Sequence, residues 1–502
     1  MYDVLVIGGG VNGCGIARDA AGRGLKVLLV EKDDLASATS SASTKLIHGG
    51  LRYLEQYDFK LVAESLRERE RLLKSAPHII WPLDFVLPHE PHLRPFWLIR
   101  LGLFIYDSLA RRDILKASKG IDFKKNTAGR PLRNHLKRGV SYADCWVEDA
   151  RLVVLCAMDA HEKGTDILTR TECISLKAEE GAWHAKLKDH LTGEEREVRS
   201  KCVINAAGPW VREFIDQNNL QQSDTLQIRH SKGSHIVIPK LYEGEHAYIL
   251  QQPDQRIVFT IPYERNFTLI GTTDAIYNGD PHQAEISDEE KQYLCDAVNR
   301  SFEKQVSAED VVWHYSGVRP LLDSGDETLS KVTRDYKLDL ETSFGPPLLH
   351  IFGGKLTTFR KLSEQAVDQI SSFFSDSKQS WTETSCLPGG DIEKADFEKY
   401  CSTIAQHYLW ASEEMLRRYV RAYGVRSRVI LAEAKSEEDM GQHYGDFVYE
   451  AEIRYLIQHE WARTLDDVLW RRSKLGLHIS LQTKEALEQS LPALVKEFLN
   501  DK

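Results

Sequence analysis

Gly8, Gly10 and Gly13 form a G-x-G-x-x-G spacing, with Val11 and Asn12 inside it and Glu31 closing the next apolar run. Such a spacing cradles a pyrophosphate. Gly8 permits a tight turn, Gly10 lets the phosphate approach the backbone, and Gly13 lets helix and strand pack closely. A helix opening there offers free N–H groups and the positive end of its dipole. The Glu31 carboxylate accepts from ribose hydroxyls and repels a 2′-phosphate, which argues against NADP. The spacing alone leaves NAD and FAD open. A second stretch, 39–53, interleaves hydroxyls and glycines with basic or titratable groups: Ser40, Ser43, Lys45, Leu46, His48, Gly49, Arg52 and Tyr53. Two further small-residue turns follow apolar runs, at Ala207-Gly208 and at Gly353-Gly354-Lys355-Leu356-Thr357.

These groups need a scaffold, and the surrounding pattern supplies one. Residues 4–7 and 27–30 are short β-branched runs flanking a helical stretch at 16–21. That is the opening of a parallel α/β sheet. Residues 57–75 carry Phe59, Val62, Leu66 and Leu73 at helical spacing. Strand-like runs at 234–239, 247–250, 256–261 and 267–271 are separated only by polar turns, which predicts antiparallel pairing. Runs at 202–207 and 348–352 read as strands returning to the first sheet. The break Leu387-Pro388-Gly389-Gly390 precedes charged, helix-forming sequence to the end of the chain.

The 502 residues are 42% hydrophobic and 28% charged, with a net charge of −10. Wholesale disorder, a multi-span membrane protein and a broad nucleic-acid face are excluded on those grounds. The eight scattered cysteines contain no C-x-x-C, so reduced thiols in a cytosolic chain are expected, with no metal site. The N-terminus lacks the tripartite pattern of a signal peptide. No run of about 18 apolar residues predicts a membrane-crossing helix.

Residues 7–19, ending at Arg23-Gly24, and the block 48–53 resemble the N-terminal signature of FAD-dependent glycerol-3-phosphate dehydrogenases. Residues 353–360 resemble the second signature of that family, with Phe359 and Ser363 where Tyr and Ala are usual. The resemblance runs over nearly the whole chain and is similar in length to the bacterial aerobic respiratory enzyme. It implies an α/β plus α+β architecture in three parts. The first is a glutathione-reductase-type FAD-binding domain with a parallel sheet (1–80, 145–230 and 310–384). The second is an antiparallel substrate cap (81–144 and 231–309), and the third a helical C-terminal domain (385–502). It implies oxidation of sn-glycerol 3-phosphate to dihydroxyacetone phosphate, with hydride passing to flavin N5 and electrons on to quinone. It also implies peripheral attachment to the inner face of the cytoplasmic membrane and paired subunits.

The resemblance extends to site residues. Noncovalent FAD is expected against Gly8, Gly10, Val11, Asn12, Gly13, Glu31 and Lys32. Ser40, Ser43, Lys45, Leu46, His48 and Gly49 follow, then Ala207 and Gly208, then Gly354, Lys355, Leu356 and Thr357. A dianionic phosphate ester calls for clustered cations. Arg52, Tyr53, Arg319, Arg334 and Lys355 are the candidates for holding it. His48, His235 and Lys355 compete as acceptor of the substrate's proton, whereas Arg319 is suited to a developing alkoxide. Competing readings are an oxidase using oxygen, a related amino-acid oxidase and a non-catalytic FAD-binding regulator. The stretch 93–106, with Trp97, Arg100 and Tyr106, reads as a membrane-surface helix or a buried core helix. Arg454, Arg463, Arg471 and Arg472 near Trp461 and Trp470 form a second surface candidate.

Overall fold

The computed structural model describes residues 1–51, 54, 57–221, 226–322 and 336–500. Arg52, Tyr53 and Arg334 lie outside the described residues. Strand β1 (Tyr2–Ile7) leads through the glycine turn into helix α1 (Val11–Gly22), and β2 (Val27–Val30) follows. β1 lies between β2 and the strand Glu195–Asn205, parallel to both, with Ile7 in register with Val30 and Asn205. Leu348–Gly353 and Asp166–Leu168 extend this parallel row on either side. All four residues of β2 are buried, as expected of a parallel strand covered on both faces. The shared register has a functional consequence. Gly8, Glu31 and Ala206 emerge together at the carboxyl edge of the sheet, where ligands of open α/β sheets bind.

α1 packs on the helices Asp149–Glu162 and Phe359–Ser371. A Cβ on Gly15 would stand 2.5 Å from Ser363 Oγ and 2.9 Å from the Phe359 ring, so glycine sets the spacing between α1 and Phe359–Ser371.

The second sheet is built around Ile228–Pro239, which pairs antiparallel with Phe267–Gly271 and with Trp313–Leu322. Ile257–Tyr263 and Ala247–Gln251 continue it. One parallel pairing, Ala247 with Phe85, then joins Ile80–Pro88 and Arg138–Val147. The strand carrying Arg319, grouped by sequence with the first domain, belongs to this second sheet: Arg319 is in register with Ser231. Short-range pattern does not reveal a strand's partner, and here the partner is about 90 residues upstream by the register just given.

Two more helices frame the site. α2 (Phe59–Ser75) is capped by Asp58, whose side chain accepts from Leu61 N–H. α3 (Phe96–Ser108) lies across the mouth of the second sheet. The C-terminal helices, among them Glu413–Tyr423, Glu450–His459 and Leu481–Asn500, share one apolar core with α1 and the helix Asp149–Glu162.

Candidate active site

A cavity of about 1200 Å³ runs between the two sheets. That exceeds the ~300–1,000 Å³ usual for small-ligand pockets, and it has room for a dinucleotide together with a substrate. Its floor is the carboxyl edge of the first sheet: Gly8 to Asn12, Glu31 to Asp33, Ala206 to Trp210 and Gly353 to Thr357. Its far wall comes from the second sheet and α3, with Tyr142, Phe259, Thr272 and Arg319.

The glycine turn is shaped by close approach. Gly8 has φ +111°, and a Cβ there would meet Ala206 O at 2.5 Å. A Cβ on Gly13 would stand 1.9 Å from Gly8 O. Gly13 itself does not line the cavity; it allows α1 to start directly behind the turn. Glu31 Oε2 accepts from Gly9 N–H at 2.6 Å and Oε1 from Asp33 N–H at 2.8 Å. Burial nevertheless pushes the Glu31 carboxyl up to about 7. Lys32 sits over the Trp210 ring at 4.4 Å, both on the cavity wall.

Side-chain bonds lock the cavity loops to one another. Ser40 Oγ accepts from Val11 N–H at 3.0 Å, and Asn12 Nδ2 donates to Gly353 O at 3.1 Å. Thr357 Oγ1 accepts from His48 N–H at 3.1 Å and donates back to His48 O. Gly353 and Gly354 both take positive φ, at +74° and +108°, which turns the chain so that Lys355 enters the cavity lining.

Three expected cofactor residues stand behind the wall. Lys45 is fully buried, and its Nζ donates to Asp149 Oδ1 at 2.7 Å and to Ser41 O. Asp149 also accepts from Ser43 Oγ at 2.8 Å. The ammonium is therefore committed to a carboxylate rather than to the cofactor, and its work is to hold the 39–45 loop. Gly49 is likewise set back; its N–H donates to Tyr106 Oη at 2.9 Å, and its missing side chain makes room for Tyr106 and Leu66. The third is Gly13. Ser40, Ser43, Leu46, His48, Ala207, Gly208, Gly354, Lys355, Leu356 and Thr357 all line the cavity.

The two histidines separate. His48 lines the cavity. His235 lies outside its lining, stacked on Tyr315 with ring centroids 4.8 Å apart and its Nε2 3.0 Å from Thr44 Oγ1. Burial, reinforced by Arg319 and Lys45, holds its imidazole well below the usual range. His235 is thus a weak base in the second layer. Arg319 projects into the cavity with Nη2 3.3 Å from Thr272 Oγ1. A Cβ on Gly233 would stand 2.5 Å from that Nη2, so Gly233 leaves space for the guanidinium. Sequence reading passed over Thr272, Asp149 and Gly233; only the Gly271-Thr272 step after a strand offered a signal for the first.

FAD fits this cradle on the chain's own chemistry. The glycine turn, the half-buried Glu31 acceptor and the second glycine turn at 353–354 face one continuous space. Over residues 3–360 the chain matches the family described as FAD dependent oxidoreductase, and over 380–502 the C-terminal domain of alpha-glycerophosphate oxidase. A glycerol-3-phosphate dehydrogenase of Pseudomonas aeruginosa is 51% identical over 492 residues, spanning 98% of this chain and 95% of that one. The chain belongs to the FAD-dependent glycerol-3-phosphate dehydrogenase family. A D-erythritol 1-phosphate dehydrogenase of Brucella abortus is 48% identical, covering 95% of each chain. The structure of a glycerol-3-phosphate dehydrogenase from Bacillus halodurans complexed with FAD aligns with TM-score 0.78 at 27% identity, over 100% of this chain and 94% of that one. Phe359 and Ser363, where the sequence resemblance led to Tyr and Ala being expected, both take part in helix packing. Phe359 is buried against α1, and Ser363 Oγ donates to Phe359 O at 2.8 Å.

Proposed function

We propose that this chain oxidises sn-glycerol 3-phosphate to dihydroxyacetone phosphate and passes the electrons to a quinone at a membrane surface. The observation that carries this reading is one cavity lined by both glycine turns and by Arg319, Lys355 and His48. Noncovalently bound FAD supplies the two-electron acceptor. The chain's own groups do the remaining work. Lys355 meets the negative charge of the phosphate ester. Arg319, braced by Thr272, stabilises the oxyanion as the secondary hydroxyl gives up its proton. His48 takes that proton, a contribution of ~10²–10⁴-fold. The test is an anaerobic titration of the purified flavoprotein. Sn-glycerol 3-phosphate should bleach the visible flavin bands at micromolar to millimolar concentration, ahead of D-erythritol 1-phosphate and of glycine. Bleaching by the amino acid alone would assign the cavity to an oxidase of another substrate class.

The surface reading rests on α3. Trp97 and Phe104 are each 67% exposed and Leu101 46%, whereas Leu103 and Tyr106 are buried. Tyr106 Oη donates to Asp144 at 2.8 Å, and Arg69 pairs with the same carboxylate at 2.5 Å. One face of α3 is therefore anchored and the other presents aromatic side chains outward, with Arg94 and Arg100 nearby. No helix among the described residues is long and apolar enough to cross a membrane. In the second candidate region Arg472 is buried on Asp34, and Arg454 pairs with Glu450 and Glu497. With anionic vesicles at low salt the protein should float, and Trp97→Ser/Phe104→Ser should return it to the soluble fraction. Flotation unchanged by that pair would move the contact away from α3.

A further inference from the structure

The loop 31–36 leaves β2 and lines the cavity with Glu31, Lys32, Asp33 and Ala36. Asp34, inside that loop, is not part of the lining. It is 2% exposed, and its carboxylate meets the C-terminal domain. Arg472, fully buried, donates from Nη1 to Oδ2 at 2.5 Å and from Nη2 to Oδ1 at 2.8 Å. Arg471 Nε donates to the same Oδ2 at 2.7 Å. Both arginines come from a π-helical turn, Asp467–Arg472. Its first residue, Asp467, is buried and accepts from Arg170 Nη2 at 2.5 Å and from Thr464 Oγ1 at 2.8 Å. Against the upward push of burial, Arg472, Arg170 and Arg471 hold the Asp467 carboxyl far below the usual carboxylate range. Arg170 also approaches Asp34 Oδ1 at 3.7 Å and donates its backbone N–H to Asp33 O at 2.7 Å.

The loop so gripped is wired into the glycine turn. Ala36 N–H donates to Gly9 O at 3.1 Å, and Gly9 N–H donates to Glu31 Oε2 at 2.6 Å. The same C-terminal segment reaches a second cavity element: Trp470 stacks on Trp313, with centroids 4.4 Å apart and an angle of 14°, on the strand that carries Arg319.

We infer that the C-terminal domain retains the cofactor, with Arg472 and Asp34 as positioning residues that fix the 31–36 loop for the nucleotide end of FAD. Domain docking alone does not need these charges. The C-terminal helices already share an apolar core with α1, and a buried ion pair is seldom better than well-packed apolar side chains for stability. What the pair adds is a fixed loop geometry on the cofactor side. The coupling is reciprocal: bound FAD holds the 461–480 segment in place as firmly as the segment holds FAD. The inference rests on FAD occupying the cavity, as the family does, and not on the identity of the substrate.

The test uses full-length holoenzyme. Asp34→Asn and Arg472→Lys should release FAD at least tenfold faster on dilution, read by the rise in free-flavin fluorescence, and should raise its Kd at least tenfold. At saturating FAD, KM for glycerol 3-phosphate should stay within twofold. Ile453→Ala, a core truncation elsewhere in the same domain, serves as the stability control. It should lower Tm comparably and leave FAD release within threefold. Release within threefold in both charge variants, or equal acceleration by Ile453→Ala, overturns the inference. If the charge variants do not fold, wild-type hydrogen exchange decides. FAD should slow exchange in 461–480 at least tenfold while leaving 397–407 unchanged, and no difference between the segments overturns it.

Discussion

Lys355→Ala and Arg319→Ala should each lower kcat/KM for glycerol 3-phosphate by ~10²–10³-fold, about 3–4 kcal/mol of transition-state stabilisation, with FAD still bound. The two losses should differ in kind. If Lys355 holds the phosphate in ground state and transition state alike, its removal acts mainly on KM. If Arg319 meets an oxyanion that exists only as the proton leaves, its removal acts on kcat. Arg319→Lys separates charge from shape. The guanidinium bonds Thr272 Oγ1 at 3.3 Å and fits beside Gly233, and an ammonium cannot offer the same planar fork. It should therefore recover only a small part of the loss. Stopped-flow measurement of flavin reduction under anaerobic conditions gives the rates directly. Reduction within threefold of wild type in both alanine variants would take these residues out of the site.

The parts of this site that were legible in the sequence are those in which local pattern and chemistry coincide. The glycine turn is one: Gly13 answers to Gly8 O five residues back, and Gly8 to Ala206 O at the end of the adjacent strand. The runs at 247–250, 256–261 and 267–271 are another, since each pairs with its neighbour in sequence. What stayed hidden depends on contacts far along the chain. Lys45 sits in a hydroxyl-rich loop and reads as a cofactor contact, yet its partner Asp149 lies 104 residues on. Arg472 reads as surface charge beside Trp470, yet its partner Asp34 is 438 residues away. His235 and His48 look equivalent as titratable groups near glycines. Only the pairing of the strand Ile228–Pro239 with Trp313–Leu322, which stacks His235 on Tyr315, separates the second-layer imidazole from the one on the cavity. In α3 the apolar composition was plain, but which face is anchored was set by Asp144, a residue of the strand Arg138–Val147.

The glycine turn offers the other large effect, because two of its glycines are required for different reasons. Gly13→Ala places a Cβ 1.9 Å from Gly8 O, a backbone atom held by the first sheet. The helix must shift, at a cost of ~1–3 kcal/mol or more for overpacking, so this variant should lose thermal stability even as apoprotein and bind FAD poorly as a consequence. Gly10→Ala is the informative contrast. Gly10 has φ −82° and ψ −177°, which any residue adopts, and its Cβ would meet only Ser40 Oγ within 4 Å, at 3.2 Å. The protein accepts that methyl if the Ser40 hydroxyl gives by a few tenths of an ångström. Its apoprotein Tm should therefore stay close to wild type, while FAD affinity falls by ~10²-fold, about 3 kcal/mol, because the methyl occupies the space into which the pyrophosphate must come. Titrating apoprotein with FAD by flavin fluorescence, alongside thermal melts, reads both quantities. If Gly10→Ala binds FAD as tightly as wild type, the phosphates do not lie against this turn. If it melts as low as Gly13→Ala, the requirement for glycine there belongs to the fold and not to the cofactor.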